Sequence, residues 1–141
     1  MKLTVLMTTY NVEHYIKETM QSLFAQTYKN FELLIIDDAS TDNTVSIINS
    51  INDSRIKLIQ LDENVGVGMA NNIGLKYVNT EFIAKADSDD IYMPTRFEKQ
   101  INYLERNKNV GVVKCLITFF PDNYSVERSN RFKYFKSVRE K

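Results

Sequence analysis

With 141 residues, 43% of them hydrophobic and 26% charged, the chain has the composition of one soluble globular domain and not of a disordered or fibrous protein. A chain of this length buries roughly two thirds of the surface its unfolded form exposes, so a packed core is within reach. Lys plus Arg and Asp plus Glu each number 18, which leaves no overall positive field to hold a nucleic-acid backbone and sets nucleic acid aside as a partner.

Lys2 to Thr8 is a short apolar run with β-branched residues, read as a strand. After Tyr10-Asn11 it gives way to helical spacing through Tyr15, Ile16, Met20, Leu23 and Phe24. Phe31 to Ile36 is apolar apart from Glu32, as expected of a strand covered on both faces of a sheet, and it ends at Asp37-Asp38. The polar stretch from Ala39 to Thr44 offers several helix N-caps ahead of Val45, Ile47, Ile48 and Ile51. Ile56 to Leu61 supplies a third strand. The glycines of Asn64-Val65-Gly66-Val67-Gly68 permit a positive φ or a close backbone approach, and a helical pattern runs on through Ala70, Ile73, Leu75 and Val78. Phe82 to Ala86 is a fourth strand. Asp87-Ser88-Asp89-Asp90 stands directly after it, before Met93-Pro94 and a helix-like run from Thr95 to Glu105.

Val110 to Phe120 reads as one further strand holding the single cysteine, Cys115, expected to be an inert buried thiol. Beyond Pro121 the sequence turns polar, aromatic and basic without an assignable pattern. The expected division is therefore a domain over residues 1–120 and a basic aromatic segment over 121–141. No apolar stretch approaches the roughly 20 residues of a membrane helix, and the first residues lack the apolar region of a signal peptide. The expected location is the cytoplasm, with a peripheral place at the inner face of the membrane as the alternative.

Alternation of strands and helices argues for an α/β sandwich with a mostly parallel central sheet, because parallel neighbours need crossovers and these crossovers are helix-patterned. In such sheets ligands bind beyond the carboxyl ends of the strands, near a switch in strand order. Tyr10, Asp38 and Asp87 all fall on that edge.

Three carboxylates within four residues, Asp87, Asp89 and Asp90, repel one another unless a cation or donor hydrogen bonds compensate them. Oxygen-only ligation favours Mg²⁺ or Mn²⁺, ions that keep waters and complete their shell with substrate phosphates. The plainer reading is a helix N-cap with first-turn acids answering the dipole, which suits Asp90. Asp37-Asp38 alone is as consistent with a turn cap as with a ligand contact. The Gly66 to Gly74 segment matches neither a Walker loop nor the dinucleotide fingerprint. His14 has no Cys or second His with which to build a zinc site and reads as a surface or packing residue.

Taken in order, Thr8-Thr9-Tyr10-Asn11, Glu32 to Asp42, Asn64-Val65-Gly66 with Ala70-Asn71-Asn72-Ile73-Gly74, and Ala86-Asp87-Ser88-Asp89-Asp90 resemble the large inverting glycosyltransferase family with the GT-A fold, family 2. Gln26-Thr27 fits the same pattern. The resemblance implies a Rossmann-like GT-A sandwich with a donor site for a nucleoside diphosphate sugar, most often a uridine one, and a saccharide or lipid-linked acceptor. It places Thr8 and Tyr10 in the nucleoside pocket, Asp38 at the base, Asp87 at the ribose or sugar side, and Asp89, with Asp87, on the Mn²⁺ or Mg²⁺ ion. Asn72 would help hold the loop covering the donor. Many relatives carry Arg where this chain has Asn71. The resemblance also implies an acceptor-binding half with a general base, and neither Asp122 nor Glu127 sits in the pattern expected around it, so the base is unidentified.

Two other readings compete. A noncatalytic nucleotide-sugar-binding or assembly module would account for the missing base, and self-association through Val110 to Phe120 or Tyr124 to Phe135 would make the chain a homo-oligomer. A phosphoacceptor receiver domain would explain Asp37-Asp38 and little else.

Overall fold

A computed structural model describes residues 1–117. In chain order it runs β1 (Leu3–Thr9), α1 (Ile16–Phe24), β2 (Phe31–Asp37), α2 (Thr44–Ser50), β3 (Ile56–Gln60), α3 (Val67–Leu75), β4 (Phe82–Ala86) and α4 (Arg96–Arg106). The sheet order is β3-β2-β1-β4, and every neighbouring pair is parallel. The order reverses at β1, which is the switch point of this architecture.

β1 and β2 are buried almost throughout because both faces of the sheet are covered. Leu3, Val5 and Met7 of β1 and Phe31, Leu33 and Ile35 of β2 point to one face, where they meet Ile16, Met20 and Leu23 of α1, Ile48 of α2 and Phe97 and Ile101 of α4. Leu6, Leu34 and Ile36 point to the other, against Ala70 of α3. The helices show why they lie there: α1 buries Ile16, Thr19, Met20 and Leu23, one stripe at helical spacing. Phe97 of α4 meets Phe31 edge-on with ring centroids 5.6 Å apart. α3 comes close enough to the sheet that a Cβ at Gly74 would lie 2.5 Å from Leu6 Cδ1.

Several expectations from sequence are corrected. No strand forms over residues 110–117; Val112, Leu116 and Ile117 are exposed, and Cys115 is exposed, not buried. An apolar run supplies strand propensity, but a strand also needs a partner strand, and the bonds found here are a turn bond from Val110 N to Asn107 O and a side-chain bond from Gln100 Nε2 to Val113 O. The rest of that run and the 121–141 segment, with Asp122, Glu127 and Tyr124 to Phe135, lie outside the described residues. Asp90 is not in the first turn of α4, which starts at Arg96. Pro94 disfavours helical backbone at Met93 and so delays the helix until after it. Tyr15 is half exposed at the N-cap position of α1 and is not part of its buried stripe. At α2 the cap position is Asn43, whose side chain makes no capping bond; Asp42 Oδ1 accepts from Thr44 N at 2.9 Å instead.

Candidate functional site

Three segments meet at the carboxyl edge of the sheet. The first is the end of β1. Beyond Thr9 the chain enters a left-handed residue, Asn11, at φ 51°. Asn11 Oδ1 accepts from Thr41 N at 2.8 Å, and Asn11 N donates to Ser40 Oγ at 3.0 Å. The loops after β1 and β2 are thereby stitched together. Tyr10 lies in this bend with its side chain about half exposed.

The second segment is the pair of acids ending β2, and the structure separates their roles. Asp37 is buried and serves the turn: it accepts from Thr9 Oγ1 at 2.8 Å, Ser40 N at 3.0 Å and Ser40 Oγ at 2.6 Å, around Ala39 at φ 60°. Asp38, also buried, reaches across to the loop before α3, where it accepts from Val65 N and Gly66 N, both at 2.8 Å. Gly66 takes φ 81°, the left-handed conformation that glycine enters without strain.

The third segment follows β4. Asp87 N donates to Tyr92 Oη at 2.6 Å, and Tyr92 Oη donates back to Asp87 O at 2.9 Å. Burial, then the charge of Asp90, push the Tyr92 hydroxyl well above the usual phenol range, so it keeps the proton it donates. The Asp87 carboxylate is 3.2 Å from Lys85 Nζ. No hydrogen bond or ion pair engages Asp89 among the described residues. Desolvation, followed by the charges of Asp87 and Asp89, raises the Asp90 carboxyl above its ordinary range. Negative charge here exceeds what Lys85 and Arg96 supply.

Between these segments lies an open cleft of about 240 Å³. Thr8, Tyr10 and Asp38 line one side, Asp87 and Asp89 the other; Thr9, Val12, Val67 and Ser88 complete the wall. Five of the six residues singled out from sequence are thus brought together. Asn72 is not: it lies exposed on α3 and does not line the cleft. Its neighbour Asn71 turns its amide back to Val67 O at 2.8 Å, while its Oδ1 is buried without a partner. His14 is an exposed surface residue.

The family model described as "Glycosyl transferase family 2" matches residues 4–141. The chain belongs to this family. An Escherichia coli relative, the UDP-Glc:alpha-D-GlcNAc-diphosphoundecaprenol beta-1,3-glucosyltransferase WfgD, is 39% identical over 127 residues, covering 90% of this chain and 47% of that protein. The putative glycosyltransferase EpsE of Bacillus subtilis is 39% identical over 115 residues, 79% of this chain and 41% of that one. Among solved structures, S. aureus TarS in complex with UDP-GlcNAc superposes with a TM-score of 0.73 at 34% identity, over 77% of this chain and 32% of TarS. The mannosyltransferase PcManGT from Pyrobaculum calidifontis, in complex with GDP-Man and Mn²⁺, gives a TM-score of 0.66 at 27% identity, over 73% of this chain and 32% of that one. The fold is therefore the GT-A fold, and the chain spans less than half the length of these relatives.

Among the described residues no three His, Cys, Asp or Glu side chains are grouped so as to hold a metal on their own. The donor set nonetheless suits a hard divalent cation. Asp87 and Asp89 present oxygen ligands on the cleft wall amid uncompensated negative charge, and Mg²⁺ or Mn²⁺ commonly takes one or two carboxylates and fills the rest with water and phosphate oxygens.

Sequence reasoning missed the residues behind the cleft, chiefly Tyr92, Thr19 and Ser22. In the sequence Gln26 stands out only as part of the family pattern. It is fully buried, and a glutamine at the end of the stripe Ile16, Thr19, Leu23 was the available signal, since a polar side chain on a buried face needs partners.

Proposed function

We propose that this chain is the donor-binding part of an inverting glycosyltransferase that moves a sugar from a uridine diphosphate sugar to an acceptor hydroxyl. The observation that carries the reading is the cleft itself. One wall is built of uncharged groups and an anchored carboxylate, the other of carboxylates in excess of nearby cations, and it opens at the switch point of a family 2 fold.

In this reading Thr8 and Tyr10 flank the nucleoside. Asp38 accepts from a base N–H with lone pairs left over from Val65 N and Gly66 N, since a carboxylate offers about four acceptor positions. Asp87 faces the ribose and sugar, and Asp89 with Asp87 holds Mn²⁺ or Mg²⁺ beside the diphosphate. When bound, the ion supplies charge neutralisation to the departing diphosphate. Lys85 restrains the Asp87 carboxylate at 3.2 Å and keeps it oriented. Asn72 acts from outside the cleft, on the helix that the covering loop leads into.

The cleft volume of about 240 Å³ falls below the roughly 300–1,000 Å³ of common ligand pockets, so part of the donor rests on further surface. The E. coli relative is named for a diphosphoundecaprenol-linked acceptor, which supports a lipid-linked saccharide as acceptor and a role in polysaccharide assembly here. No described helix is long and apolar enough to cross a membrane. Exposed Val112, Leu116 and Ile117 favour association with a second copy.

The test is calorimetry of the chain with uridine, guanosine and adenosine diphosphates, each with and without Mn²⁺. Uridine diphosphate should bind best and need the metal. Failure of every nucleoside diphosphate to bind under either condition would overturn the reading.

A further inference from the structure

The acidic turn is a short irregular segment, residues 87–93, between the end of β4 and Pro94. Mutual repulsion among Asp87, Asp89 and Asp90 works to spread it. Its backbone is nevertheless tied at successive positions. Tyr92 Oη accepts from Asp87 N at 2.6 Å and donates to Asp87 O at 2.9 Å, so one hydroxyl holds both main-chain groups of Asp87. Thr19 Oγ1 donates to Ser88 O at 3.0 Å. Tyr92 is itself fixed, because its N donates to Ser22 Oγ at 3.0 Å. Gln26 locks the following residues, donating from Nε2 to Met93 O at 2.8 Å and accepting Phe97 N on Oε1 at 3.0 Å.

Thr19, Ser22 and Gln26 succeed one another at three- and four-residue intervals and so share one face of α1 and its end. Thr19, Gln26, Ser88 and Tyr92 are all buried. Hydrogen bonds shielded from water hold their geometry more firmly than exposed ones, and groups that orient a metal's ligands from behind influence its affinity.

We propose that Tyr92 is a positioning residue for the diphosphate end of the donor site, its hydroxyl setting the backbone of Asp87 and hence the aim of the Asp87 and Asp89 carboxylates. The inference rests on the function proposed above. The Tyr92 ring packs against the Arg96 guanidinium at 4.7 Å, so Tyr92→Phe keeps the packing and removes only the clamp. A purely structural role would weaken every ligand alike. A positioning role affects the acidic wall and spares the wall formed by Thr8, Tyr10 and Asp38.

The experiment is calorimetry on the full chain with three titrations: uridine alone, uridine diphosphate without metal, and uridine diphosphate at a series of fixed Mn²⁺ concentrations, whose dependence on Mn²⁺ reads the metal's affinity. Tyr92→Phe should lower the Mn²⁺ affinity by about 10-fold and leave uridine affinity unchanged. Ser22→Ala, which removes the acceptor for Tyr92 N, should shift the Mn²⁺ affinity in the same direction by less. Tyr15→Phe, on an exposed tyrosine, should change neither. Equal Mn²⁺ affinity in Tyr92→Phe and wild type, or a parallel loss of uridine and Mn²⁺ binding, overturns the proposal. If Tyr92→Phe does not fold, Ser22→Ala is judged by the same two outcomes. Absence of metal-dependent binding in the wild type would instead overturn the function on which the proposal rests.

Discussion

Asp38→Ala tests how the nucleoside wall is held. In the folded chain this carboxylate is 3% exposed and accepts two backbone bonds, from Val65 N and Gly66 N, each at 2.8 Å. Hydrogen bonds to a charged acceptor are worth about 1.5–3 kcal/mol each, so the pair contributes about 3–6 kcal/mol. Removing a nearly buried charge relieves its desolvation and offsets part of that, leaving a net loss of about 2–3 kcal/mol. Urea denaturation at neutral pH, followed by circular dichroism, measures it directly. The same variant should bind uridine more weakly, while the uridine diphosphate binding that remains should keep its dependence on Mn²⁺, because Asp87 and Asp89 are untouched. Stability within about 0.5 kcal/mol of wild type, the range of ordinary surface substitutions, would refute the anchoring argument. Unchanged uridine affinity would refute the contact with the base.

Asp89→Ala should retain the wild-type melting temperature, since nothing in the described fold bonds to it, yet abolish the Mn²⁺ dependence of uridine diphosphate binding; metal-dependent calorimetry that matches wild type would contradict its role. Gly74→Ala should destabilise by about 1–2 kcal/mol, the cost of overpacking less the gain in helix propensity. The new Cβ would lie 2.5 Å from Leu6 Cδ1 and 2.9 Å from Ile36 Cγ1, both buried, and a variant as stable as wild type in urea would show that the interface yields. Asp53 bonds Arg55 Nε at 2.9 Å and Nη2 at 2.7 Å, and that bond first of all holds its carboxyl below the ordinary value of 3.8. A depressed folded value means stability that is complete above pH 3.8 and lost as the pH falls through the lowered value. Asp53→Asn should therefore cost up to about 1 kcal/mol at neutral pH, discounted for partial exposure, and nothing in strong acid; a gap that persists in acid would be inconsistent with the ion pair.

The strands were legible because a sheet covered on both faces leaves unbroken apolar runs, as in Leu33 to Ile36, and because each run stops at a polar residue. The cleft was legible for a related reason: strand ends fall on one edge in a parallel sheet, so Tyr10, Asp38 and Asp87 had to gather there, while Thr8 was named by the family resemblance. What stayed hidden depends on groups far apart in sequence. Asp37 and Asp38 are chemically identical and adjacent, yet one caps its own turn through Ser40 and the other reaches 28 residues ahead to Gly66. Only the alternation of the backbone at the strand end decides which is which. Tyr92 sits among Ile91 and Met93 with no periodicity to mark it, and its partner Ser22 is 70 residues earlier, as Thr19 is 69 residues before its own partner Ser88.

The position of the cleft follows from strand pairing and not from the residues that line it. β1 pairs with β4 only as far as Met7 opposite Ala86, but with β2 as far as Thr9 opposite Asp37. Two residues of β1 therefore continue beside β2 after β4 has turned away, and the gap this opens is bounded by Thr8 and Thr9 on one side and by Asp87 to Asp89 on the other. Each wall then needs its own restraint, because neither is held to the other by a ladder. Asp38 gives the first wall a charged anchor to the loop before α3, and Tyr92 gives the second a neutral, buried one. In the function proposed above the base would lie beside Asp38, and the diphosphate would face the carboxylates of the second wall only across a divalent cation that offsets the repulsion between them.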